Sequence, residues 1–140
     1  MKLKERKTKR EILENYLALE KNLQAKYENY EKIRVIATNT AAKIIEGDIS
    51  HSDSKDNKTE RKFVDCAAAL EDFSKTAEEF SVLQNRIFSA LNSLNDPKAE
   101  NILRRAYLCG HSERQIAKEM GYSVDMVRKI KAYGLDKIKL

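Results

Sequence analysis

No proline occurs before position 97 and no glycine before position 47. A chain without those two residues has few ways to end a helix. Proline lacks the N–H that a helix needs, and glycine is the residue that most readily leaves the right-handed region. The 140 residues contain one proline and four glycines in all, and 35% of them are charged. Long helices with wide solvated faces follow, and an all-α fold is expected.

Apolar spacing places those helices. Over residues 11–46 a 4-3 spacing runs Ile12, Tyr16, Leu19, Leu23, Lys26, Tyr30, Ile33, Ala37, Thr40, Ile44, eight of the ten apolar. It predicts one helix roughly 54 Å long at 1.5 Å per residue. Over residues 61–94 the seam is Phe63, Cys66, Leu70, Phe73, Ala77, Phe80, Gln84, Ile87, Leu91, Leu94, nine of ten apolar. The polar stretch GDISHSDSKDNKTE, residues 47–60, is expected to connect the two as a flexible loop. Folding back through it sets Ile44 against Phe63 and Ile12 against the region of Leu94. Residues 1–94 thus form a long antiparallel helical hairpin, coiled-coil-like, with MKLKERKTKR as a frayed start whose contact with phosphates is left open.

Apolar residues also lie off both seams. The first helix adds Leu13, Leu17, Tyr27, Val35, Ile36, Ala41 and Ile45, and the second adds Val64, Ala67, Ala69, Val82, Leu83 and Phe88. Stripes this wide need cover on a second side. A second copy, giving a four-helix homodimer, is the preferred cover. An outside protein, or packing of the helices back on the C-terminal segment, are the alternatives.

Asn95-Asp96-Pro97 marks a break and a restart, because Pro97 suits a first helical position with Asp96 as cap. A helix to about Cys109 is expected, with Gly110 as its stop. Residues 112–133, SERQIAKEMGYSVDMVRKIKAY, then carry the pattern of a helix-turn-helix. Counting from Glu113, Ala117 is the fifth residue, where two helices approach closely. Gly121 is the ninth, where the turn favours positive φ, and Val127 is the fifteenth, buried against the first helix. Ile116, Met120 and Ile130 complete the apolar set. Ser112 with Gln115 forms a capping box, and Ser123 caps the second helix with Asp125 in its first turn. Gly134 is expected to weaken this last helix, while Leu135, Ile138 and Leu140 extend it or pack beneath it.

The second helix of such a motif enters the major groove of double-stranded DNA. Its exposed candidates are Val124, Asp125, Met126, Arg128, Lys129 and Lys131. Arg114 and Lys118 lie on the first helix, which crosses the backbone, and Ser112 and Ser123 stand at helix starts that can hold phosphates. These ten residues are the expected DNA-binding set.

The residues NILRRAY, then Ser112, Ile116-Ala117 and Met120-Gly121-Tyr122-Ser123, then VRKIKA and Leu135, carry a resemblance. Residues 97–140 resemble region 4 of the sigma-70 family, the part that binds the −35 promoter element. The resemblance implies that Asp125 accepts from cytosine and that Arg128 holds guanine, pairings that make donor–acceptor sense. Val124 and Met126 stand where the housekeeping pattern commonly has arginines, Lys129 where it has glutamine, and Ala106 where it often has arginine. The consensus −35 sequence is therefore not carried over, and Val124 and Met126 suit thymine methyls. The whole chain is similar to regulators of Gram-positive phages and prophages, of the autolysin-regulator type of late-gene activator.

The expected function is a sequence-specific transcription regulator, a phage or prophage activator, with RNA polymerase as a candidate partner of the hairpin. Two alternatives stay open: a DNA-packaging recognition subunit similar to small terminases, and a coiled-coil interaction protein without specific DNA binding. The charge distribution fits a DNA-binding head beside an interaction stalk. Residues 1–10 hold six Lys/Arg against one Glu, and residues 98–140 ten against five, so each end carries +5 of a chain whose total is also +5. No enzyme activity, cofactor or metal is expected. No Gly-rich phosphate loop occurs, His51 with Asp53 and Asp56 fits no ligand spacing, and the carboxylates are spread over helix surfaces. Two cysteines, no signal-like apolar core at the basic start and no apolar run near 20 residues lead to the expectation of a cytoplasmic protein outside the membrane.

Overall fold

A computed structural model describes the backbone of residues 2–45 and 53–140, and the side chains of 3–43 and 58–140. All regular structure among the described residues is helical: α1 Lys2–Ile45, α2 Asp53–Asn92, α3 Pro97–Leu103, α4 Glu113–Met120 and α5 Val124–Lys137. A π-helical turn, Arg104–Leu108, continues α3. The fold is the all-α hairpin followed by a helix-turn-helix that the spacing predicts.

The basic start is part of α1, which is helical from Lys2. One expectation about the hairpin is corrected. The second helix begins at Asp53, so residues 53–60 of the expected loop are helical, and residues 46–52 lie outside the described residues.

The chain divides into two compact units, residues 21–79 and residues 1–20 with 80–140. In the 21–79 unit α1 and α2 run antiparallel. Phe73 packs against Tyr27 and Tyr30, with ring centroids 5.4 and 6.3 Å away. Lys26 Nζ donates to Asp72 Oδ1 at 2.9 Å and to Thr76 Oγ1 at 2.8 Å, and Lys62 Nζ donates to Thr40 Oγ1 at 3.0 Å. Thr40 therefore lies opposite Lys62, and the side chain of Ile44, expected opposite Phe63, lies outside the described residues. Only Ala37 and Thr76 are fully buried among this unit's described side chains, while Tyr27, Val35, Ile36, Phe63, Val64 and Leu70 stay 43–65% exposed.

The other unit holds the core. Leu13 and Tyr16 of α1, and Ile87, Ala90 and Leu91 of α2, form one buried cluster with Leu103, Tyr107, Leu135 and Ile138. The base of the hairpin and the C-terminal helices thus share a single interior. Gly134 lies buried in α5, and a Cβ there would stand 3.0 Å from Leu103 Cδ1 and 3.4 Å from Ala99 Cβ. The residue read as a weak point is what lets α5 approach α3 closely. A second cluster, Ile102, Ile116, Ala117 and Val127, is flanked by Met120, Tyr122, Val124 and Ile130.

Candidate nucleic-acid interface

Local chemistry sets the two helices of the motif. Asp96 Oδ1 accepts from the Lys98 and Ala99 amides, which starts α3 at Pro97. The chain leaves the π-helical turn at Gly110, φ +72°, with the His111 amide donating to the Arg105 carbonyl at 2.9 Å. Ser112 Oγ then accepts from the Gln115 amide at 3.2 Å and opens α4. This is the Ser112 half of the expected capping box. Gly121 closes α4 in the left-handed conformation, φ +71°, and the Tyr122 amide reaches back to the Ala117 carbonyl at 2.9 Å. Ser123 Oγ accepts from the Met126 amide at 3.1 Å and opens α5. Ala117, Gly121 and Val127 occupy the close-contact, turn and buried positions expected of them.

Eight of the ten expected DNA-binding residues, Ser112, Arg114, Lys118, Ser123, Asp125, Met126, Arg128 and Lys129, are exposed. The other two differ from the expectation of free side chains. Val124 is half-buried against the Ile116–Val127 cluster. Lys131 is 16% exposed, with Nζ 5.1 Å from the Tyr107 ring centroid and 3.7 Å from Glu113 Oε1. Its position on α5 turns it towards the π-helical turn and the start of α4, where the ring of Tyr107 and the carboxylate of Glu113 hold it.

Glu113 is the residue that sequence reasoning missed. Its Oε2 accepts from Arg128 Nε at 2.7 Å, and Asp125 Oδ1 lies 3.9 Å from the same guanidinium. The Arg128 hydrogen bond holds the Glu113 carboxyl below its ordinary range against partial desolvation, helped by the charge of Lys131, and the same bond raises Arg128. Fifteen residues separate the pair in sequence, so no helical i,i+4 spacing announces it. The Arg128 side chain is still 63% exposed, and an exposed pair of this kind is weak enough to be exchanged for another anion.

A second acidic anchor ties the approach to α4. Arg105 donates to Glu119, and His111 Nδ1 lies 3.3 Å from the same carboxylate without hydrogen-bond geometry. Desolvation of Glu119 works to raise its carboxyl, but the Arg105 hydrogen bond and the neighbouring charges outweigh it and leave the group lowered.

A three-helix support, a left-handed glycine turn and an exposed polar face on α5 define a helix-turn-helix of the DNA-binding class. Residues 90–140 match the family model of sigma-70, region 4, so this segment is a sigma-70 region 4-like helix-turn-helix. The match supports a DNA-binding regulator, and it starts at Ala90, inside the last turn of α2, where Ala90 and Leu91 already belong to the shared core. No curated protein and no solved structure gives a match. No group of metal-ligating side chains occurs among the described residues, and no described helix is long and apolar enough to cross a membrane.

Proposed function

We propose that this chain is a sequence-specific transcription regulator that reads promoter DNA with α5 and activates phage or prophage genes in the bacterial cytoplasm. The observation that carries the reading is the capped helix pair 112–137 with Asp125, Met126, Arg128 and Lys129 exposed at the start of its second helix. In a helix-turn-helix that end meets base edges, while the caps and first helix meet phosphates. Arg128 is the guanine reader and Asp125 the cytosine acceptor, with Arg114 and Lys118 on the backbone. The phage setting rests on the likeness of the whole chain, hairpin before helix-turn-helix, to late-gene activators. RNA polymerase and a second copy of the chain are the partners of the hairpin, and residues 95–140 are the DNA-reading part.

Selection from random duplex DNA at near-physiological salt, run beside Arg128→Ala, tests this. An enriched motif is expected, with preference at one base pair weakened by about 1–3 kcal/mol in the variant. Binding without any motif, fading steeply with salt, would mean phosphate contacts alone. A light-scattering mass near eight or more copies would move the reading to DNA packaging.

A further inference from the structure

We propose that the first turns of α1 form, together with the flank of α5, a second DNA contact that grips the phosphodiester backbone beside the groove being read. This rests on the reading of α5 as the recognition helix. A groove of about 550 Å³ runs between the two elements, lined by Arg6, Lys7 and Arg10 from α1 and by Arg128, Lys131 and Glu113 from the helix-turn-helix. Five cations thus face one carboxylate. Glu113 is already shared by Arg128 and Lys131, and Arg6 is taken by Asp136. Lys7 and Arg10 are exposed and make no ion pair among the described residues.

The basic turns are held in place. Arg6 makes a two-pronged ion pair with Asp136 near the end of α5, and Lys9 Nζ donates to the Asp136 carbonyl at 3.2 Å. Leu13 and Tyr16, one and two turns further on, are buried with Leu135 and Ile138. The uncompensated charge therefore sits at a fixed position relative to α5. A helix lying in a major groove about 12 Å wide turns its flanks to the sugar–phosphate walls. Arg128 and Lys131 lie on the flank of α5 that borders this groove, so the anion that passes there is the backbone strand of the bound duplex.

The test is the salt dependence of binding by the full chain to its selected duplex, for wild type and Lys7→Ala/Arg10→Ala. Two lost phosphate contacts are expected to lower the slope of log K against log salt by about 1.8, with the selected motif unchanged. A control with the same charge change, Lys21→Ala/Lys32→Ala in the 21–79 unit, is expected to leave the slope as it was. An unchanged slope in the first variant, or an equal fall in both, overturns the contact while the motif keeps the DNA-reading function intact. A wild-type protein that binds no duplex removes both together.

Discussion

At the scale of single residues, two glycines show what a sequence can and cannot announce. Gly121 stands at φ +71°, and a Cβ there would meet nothing within 4 Å. Its requirement is conformational, and the turn position alone reveals it. Gly134 is a helical residue whose added Cβ would press on the fully buried Leu103. That requirement depends on how closely α3 approaches, and periodicity within α5 carries no trace of it. Glu113 is hidden for the same reason, since its partner lies across the turn. Its carboxyl is held low by Arg128, so the pair contributes stability above the unfolded pKa, near 4.5, and loses it as pH falls through the lower folded value. Glu119, also lowered, acts in the same direction. Urea unfolding at pH 7 and at pH 3 should therefore show a smaller acid loss in Glu113→Gln than in wild type; equal losses would mean that the bond does not matter to the fold.

At the scale of elements, the 4-3 seams were legible because burial repeats every turn. Tyr16, Ala37, Ile87 and Leu91 are all buried where the seams place them. The start of α2 was not, because polar residues such as those at 53–60 serve a loop and a helix end equally well. Nor was the π-helical turn, where the Cys109 amide reaches the Arg104 carbonyl at 3.1 Å, since one inserted residue leaves the composition unchanged. The need for cover on the hairpin was legible, and the structure leaves Ile36 and Val64 at 52% and 65% exposure. A two-helix pair burying so little is completed by a second copy in the reading proposed above. Light scattering should give about twice the 16.1 kDa chain mass for wild type and one chain for Ile36→Glu/Val64→Glu, with helicity by circular dichroism retained. A variant that keeps the doubled mass would place the contact elsewhere.

At the scale of the molecule, the division expected after residue 94 is crossed by an interior. Leu91 of α2 is fully buried in the cluster that holds Tyr107 and Leu135. Truncating it should cost about 2–5 kcal/mol. In the full chain, Leu91→Ala should lower the unfolding midpoint of a reporter placed at Tyr133, in α5, as much as that of overall helicity. A reporter that melts independently would show that α3–α5 stand alone. The seam spacing identified Leu91 as apolar, but not the elements it would meet, because a periodicity describes one face and never names its neighbour.

The ion pair between Arg6 and Asp136 joins residues 130 positions apart. On a ribosome, at 5–20 residues per second, the basic start of α1 waits on the order of ten seconds before its acceptor is made. During that interval Leu13 and Tyr16 have emerged and Leu135 and Ile138 do not yet exist. A growing chain cannot complete the core that anchors α5 until its last helix is made. The order of synthesis therefore sets when this interior can close, because Leu13 and Tyr16 stay uncovered until Leu135 and Ile138 have been added.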